Sequence, residues 1–194
     1  MNKMFQQFLT QQALNLIGKQ LGFKNGIPPQ LVALATQILM SGMARNVQQP
    51  GGAQALFEAL NKDHADNNIL GRLKDFIPNA ATEGKGEGIL GHVLGDKLDS
   101  IVDIFAQATG LPKDKAKQLL IIVAPIALAY LANRMRKMHL SQQEVANDVR
   151  DHYYRPGTQE VQEDGGIMEA LLKGSRDQQT MTSAVDIFKK LILR

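Results

Sequence analysis

"GLPKDKAKQLLIIVAPIALAYLANRM", residues 110–135, contains the longest apolar run of the chain, Leu119 to Ala132. The run falls short of the roughly 20 apolar residues that span a bilayer, and Pro125 interrupts it, so it reads as a buried core helix. Pro112 opens that helix, and Pro125 removes one i to i−4 hydrogen bond, which predicts a bend near Val123. Laid on "GFKNGIPPQLVALATQILMSGMARNV", residues 22–47, the stretch aligns without a gap at an offset of 88. Gly22/Gly110, Gln30/Gln118, Leu31/Leu119, Ile38/Ile126 and Ala44/Ala132 are identical pairs, and most positions between Leu31 and Val47 are apolar or small in both copies. The same offset pairs Asp63-His64 with Asp151-His152. These matches predict one unit used twice: a helix, a glycine stop, a long buried helix and a short capped helix.

The flanking sequence supplies the remaining elements. Phe5, Phe8, Leu9, Leu16 and Ile17 recur at helical spacing before Gly22, which predicts a first helix and its stop. Pro28 and Pro29 suit the first turn of the second helix, because proline lacks the amide hydrogen left unsatisfied there. "GGAQALFEALNK" predicts a third helix, and "DNNILGRLKDFIP" a fourth that ends before Pro78. "NAATEGKGEG" has the composition of a flexible connector. Beyond it, Leu90, Leu94, Leu98, Ile101 and Phe105 predict one helix running through Gly95. "LSQQEV" is a capping box, with Ser141 and Glu144 serving each other's amides and Leu140 and Val145 placed as a hydrophobic staple, so a helix is expected from 142 to about 152. After the polar loop "YYRPGTQEVQEDGG", Met181, Val185, Phe188 and Ile192 predict a C-terminal amphipathic helix.

The expected fold is therefore all-α: a multi-helical bundle of two related units plus that C-terminal helix. Its divisions are residues 1–78, a glycine-rich linker at 79–87, a second unit at 88–155, and a loop with the terminal helix at 156–194. Composition agrees, since 194 residues at 44% hydrophobic content support a real core, and seven Phe, three Tyr and no Trp leave that core to aliphatic side chains. With no cysteine, disulfides, thiol nucleophiles and thiolate zinc sites are excluded. A net charge of +3 is mildly basic and does not by itself call for nucleic acid. Gln6, Gln7, Gln11 and Gln12 break the opening apolar pattern, so the start does not read as a signal peptide and a cytoplasmic location is expected.

"GILGHVLGDKLDSIVDIFAQATGLPKDKAKQLLIIVAPIALAYLANRMRK", residues 88–137, resembles the YidB-like bacterial family of unknown function, DUF937. The likeness rests on the Gly-Ile-Leu-Gly-His segment, the glycine that ends a helix, and the Leu-rich helix with Ala-Pro at its middle. It implies an all-α fold and carries over no functional residues.

Several residue groups invite a chemical reading. Gly86, Gly88 and Gly91 have the G-x-G-x-x-G spacing of dinucleotide loops, but "NAATEGK" before them is not a strand, and no Gly-Lys-Ser/Thr follows. Gly91 and Gly95 instead have the spacing that lets a second helix approach. His92, Asp96, Asp99 and Asp103 would share one face of a continuous helix, where His92 and Asp96 could begin a metal site, although a solvated polar face accounts for the same pattern. Asp63, His64, Asp151 and His152 could converge if the units face each other, or simply end helices. Arg134, Arg136, Lys137 and His139 form the densest basic cluster, suited to phosphate or an acidic partner and equally to the negative end of a helix. No serine or histidine falls in a nucleophile motif.

The leading expectation is a non-enzymatic structural or protein-interaction module, without cofactor, that self-associates or binds a protein through apolar helix faces. The second is a ligand- or metal-binding helical protein with its site between the units. A nucleic-acid binder, or a membrane-surface binder acting through Lys189, Lys190 and Arg194 of the terminal helix, comes third.

Overall fold

A computed structural model describes residues 10–62, 72–80 and 84–153. The described segments are α1 (Gln11–Leu21), α2 (Pro29–Asn46), α3 (Gly52–Lys62), α4 (Leu73–Ala80), α5 (Lys85–Leu94), a 3-10 turn (Gly95–Lys97), α6 (Leu98–Thr109), α7 (Lys113–Met138) and α8 (Gln142–Tyr153). No strand occurs among the described residues, so the all-α expectation holds. Phe5, Phe8, Asp63, His64, residues 81–83 of the expected linker and the C-terminal helix lie outside them.

Local chemistry explains most helix ends. Thr10 caps α1 by accepting the Ala13 amide at 3.2 Å. Pro28 and Pro112, both with φ −56°, precede α2 and α7. Gly22 and Gly110, paired by the sequence offset, both end helices in the left-handed conformation, with φ 84° and 72°. The capping box forms as expected: the Ser141 hydroxyl and amide donate to Glu144 Oε2 at 2.6 and 2.8 Å, and the Glu144 amide donates to Ser141 Oγ at 3.4 Å.

α7 is the axis of the packing. Its 26 residues reach about 39 Å, and it is buried around nearly its whole circumference from Leu119 to Ala132. By length and composition this helix could cross a membrane, yet 78% of its most apolar window is buried inside the protein, which supports a core role. α7 runs without interruption through Pro125 and packs against α1 to α6, while α8 lies on α2 and α3. One continuous apolar cluster results, extending from Leu14 to Val149. Side chains such as Ile38, Leu39, Ile122 and Phe105 are wholly buried within it, each contributing on the order of 1.5–3 kcal/mol. Thr36, buried in α2, donates its hydroxyl to Val32 O at 2.8 Å.

Three sequence expectations are corrected. The helix expected to run through Gly95 breaks there, because Gly95 adopts φ 53°, ψ −133°, and α6 starts afresh after the 3-10 turn. The fourth helix does not stop before Pro78 but carries it inside α4. Gly91 and Gly95 admit no neighbour, since a Cβ at either would meet nothing within 4 Å. The close approaches occur at other glycines. A Cβ on Gly86 would lie 2.2 Å from the Ile121 carbonyl oxygen in α7, and one on Gly42 of α2 would lie 2.8 Å from Val93 Cγ1 in α5. Asn46 completes the second junction, its Nδ2 donating to the His92 and Val93 carbonyls at 3.0 and 3.1 Å and so satisfying the end of α5.

Candidate functional site at the α7–α8 corner

The glycine fingerprint resolves into packing and open helix surface. Gly86 sits in the first turn of α5 against α7, whereas Gly88 and Gly91 are exposed and meet nothing. The break at Gly95 also separates the proposed metal stripe. His92 is exposed on α5; Asp96 lies in the 3-10 turn, 3.8 Å from Lys97; Asp103 on α6 pairs with Lys113 at 2.7 Å. That contact holds the Lys113 ammonium above its ordinary value, chiefly through the hydrogen bond. Glu87 is tied to Lys117 of α7 at 2.7 Å, which holds its carboxyl below the usual range. Asp151 is exposed and pairs with Arg150 at 2.9 Å. Asp151 and His152 occupy the last turn of α8. Among the described residues, no three His, Cys, Asp or Glu side chains gather where they could hold a metal ion.

The basic cluster divides by role. Arg134 leaves it: its Nε and Nη2 donate to Asp148 Oδ2 and Oδ1, both at 2.7 Å, in a two-pronged pair between α7 and α8. The two side chains are only 13% and 16% exposed. Such a fork fixes orientation as well as distance. Beside it lies Tyr130, whose phenol burial pushes upward while the neighbouring Arg134 charge pulls it down.

Arg136, Lys137 and His139 remain on the surface, together with Met138, which is 51% exposed and is the exposed large hydrophobic among the described residues. Here α7 ends in a Schellman turn: the Leu140 amide reaches Met135 O at 3.0 Å and the His139 amide reaches Arg136 O at 3.3 Å. Met135 is buried and Leu140 packs on the same core, which is the apolar contact that usually accompanies this turn. His139 takes φ 53°, the one left-handed non-glycine residue among those described. Two residues later the Ser141–Glu144 capping box starts α8. The corner is thus fixed from three sides, by the Schellman turn, the capping box and the Arg134–Asp148 fork.

Sequence reasoning missed the fork, because nothing local relates residues 134 and 148. The left-handed histidine did leave a signal. A helix must stop between Met138 and Ser141, and no glycine or asparagine is present there to stop it.

The capping box carries a pH dependence. Hydrogen bonds from the Ser141 hydroxyl and amide hold the Glu144 carboxyl below its ordinary value. A lowered folded-state value means this contribution is complete above the unfolded carboxylate range and is lost as pH falls through the folded value. Ser141→Ala is expected to cost about 1 kcal/mol at neutral pH. Urea unfolding of both proteins at neutral and strongly acidic pH should show that difference narrowing in acid.

No curated protein and no solved structure matches the chain. A family model described as a bacterial protein of unknown function, DUF937, matches residues 3–134. The match takes in α1 to α6 and α7 as far as the fork residue Arg134, and the exposed corner lies beyond it. The chain is therefore a member of the bacterial family DUF937.

Proposed function

We propose that the protein is a non-enzymatic interaction module that meets a protein partner at the α7–α8 corner. The observation that carries this reading is the exposure of Met138, at 51%, in a chain whose other large apolar side chains among the described residues are drawn into or against the core. Methionine and arginine are enriched at protein interfaces, and Met138 stands among Arg136, Lys137 and His139. The three constraints on the corner support the same reading, because a preorganised surface loses little side-chain and loop freedom on binding.

The test is a photoreactive amino acid placed at Met138 in the host bacterium, with the same group at exposed Glu58 of α3 as control. Discrete adducts with another protein from position 138 alone are expected. No adduct at 138, or the same adducts from both positions, would overturn the proposal.

A further inference from the structure

We infer that α5 is a strap across the seam between α2 and α7, seated on the backbone gap that Pro125 leaves in α7, and that it opens as a unit while the core beneath it stays folded. The strap is separate from the α7–α8 corner and does not depend on what the corner meets.

Proline chemistry makes the seat. Pro125 has no amide to give the Ile121 carbonyl four residues before it, and its ring crowds that carbonyl. Gly86 of α5 stands over this place. A Cβ there would overlap the Ile121 carbonyl oxygen, so the glycine hydrogen that occupies the Cβ position points at the same oxygen. Such a Cα–H···O contact is weak, but it faces an acceptor that Pro125 cannot serve. The other copy of the repeat provides a contrast. There the offset pairs Pro125 with Gln37, which keeps its amide, and no glycine among the described residues has Ala33, the counterpart of Ile121, as its nearest neighbour.

α5 is held by docking rather than by its own helix propensity. Three of its ten residues, Gly86, Gly88 and Gly91, are glycine, each weakening a helix roughly two- to fivefold against alanine. Gly84 offers no side-chain cap to the first turn. Both flanks are left-handed glycines, Gly84 at φ 69° and Gly95 at φ 53°, where the chain can change direction without steric cost. Against these weaknesses stand the buried Leu90, Val93 and Leu94, the exposed Glu87–Lys117 pair, and the Asn46 amide on the His92 and Val93 carbonyls. α2 and α7 pack on each other and are each buried along most of their length, so they keep a core when α5 lifts. Opening uncovers the seam at Gly42 and the Ile121 carbonyl, while the Arg134–Asp148 fork keeps the corner in place.

Native-state hydrogen exchange of the purified full chain in low urea tests the strap. After correction for intrinsic rates, the Leu90, Val93 and Leu94 amides should open with one common constant, about tenfold or more above that of Ile38, Leu39, Ile122 and Val123. Their urea dependence should be weaker, because local opening exposes less surface than global unfolding. Pro125→Ala supplies the missing amide and draws the Ile121 carbonyl back into α7, so it should speed exchange of the three α5 amides about threefold, the loss of one weak contact. Gly88→Ala meets nothing within 4 Å and should slow the same amides roughly two- to fivefold. α5 amides that share the rate and urea dependence of α2 and α7 would overturn the strap. Exchange in α5 that Pro125→Ala leaves unchanged would overturn its seat at the gap. If that variant does not fold, unchanged α5 exchange in Gly88→Ala would overturn the inference instead.

Discussion

Gly86→Ala is expected to lower the stability of the protein by about 3 kcal/mol, at the upper end for overpacking a closed contact. The new Cβ would fall 2.2 Å from the Ile121 carbonyl oxygen, 2.9 Å from its Cγ2 and 3.0 Å from its carbonyl carbon. Two of those atoms are backbone in the middle of α7, where no rotamer change can relieve the overlap. α5 must therefore move away from α7, and Leu90, wholly buried on the same helix, moves with it. For a chain of this size the melting temperature should fall by about 8 °C. Gly88→Ala, two residues on, meets nothing within 4 Å. It should stabilise α5 by roughly 0.5–1 kcal/mol, the ordinary gain of alanine over glycine inside a helix. Opposite signs at neighbouring glycines, read by urea unfolding, would separate helix contact from loop flexibility as the reason for the glycine-rich sequence. A loss at both positions of equal size would contradict the packing described.

Arg134→Met should cost about 3 kcal/mol. Removing one partner from a largely buried pair leaves the Asp148 carboxylate without its fork, and the remaining 13% and 16% exposure of the side chains places the cost at the low end of the usual range. The loss should reach beyond the pair, because the fork joins α8 to α7 while α8 packs across α2 and α3. Arg134→Met combined with Asp148→Leu should recover most of the stability, since the apolar pair no longer leaves a charge uncompensated. A double variant no better than the single one would show that the fork's hydrogen bonds, rather than the orphaned charge, carry the energy. The contrast with exposed pairs is instructive. Asp103–Lys113 and Glu87–Lys117 are equally short at 2.7 Å but stand in solvent, where screening leaves little net gain.

Features governed by chain-local chemistry were legible in the sequence. Gly22, Gly110, Pro112 and the Ser141–Glu144 box fall where expected because each acts on amides or dihedrals within a few residues. Gly95 departs from the sequence pattern for the converse reason. Leu90, Leu94 and Leu98 keep an apolar period across the break, and periodicity registers which residues are buried, not whether the backbone between them is continuous. Small-residue spacing singled out Gly91 and Gly95, whereas the neighbouring helices press on Gly86 and Gly42. Spacing shows which glycines share a face and leaves open which face meets a neighbour. In the basic cluster, charge density marks the stretch from Arg134 to His139 as one group, but the assignment of Arg134 to the interior depends on Asp148, which only the fold brings alongside it.

Whether α2 and α7 belong to one cooperative core is the claim on which the rest depends, and native-state hydrogen exchange tests it most directly. Ile38, Leu39 and Met40 of α2 and Ile122, Val123 and Ala124 of α7 are all within 1% of full burial and sit in the same cluster. Their amides should open with one common free energy, equal to that of global unfolding. Exchange of the α2 amides at distinctly lower free energy than those of α7 would mean that the two halves open separately, and would contradict the account.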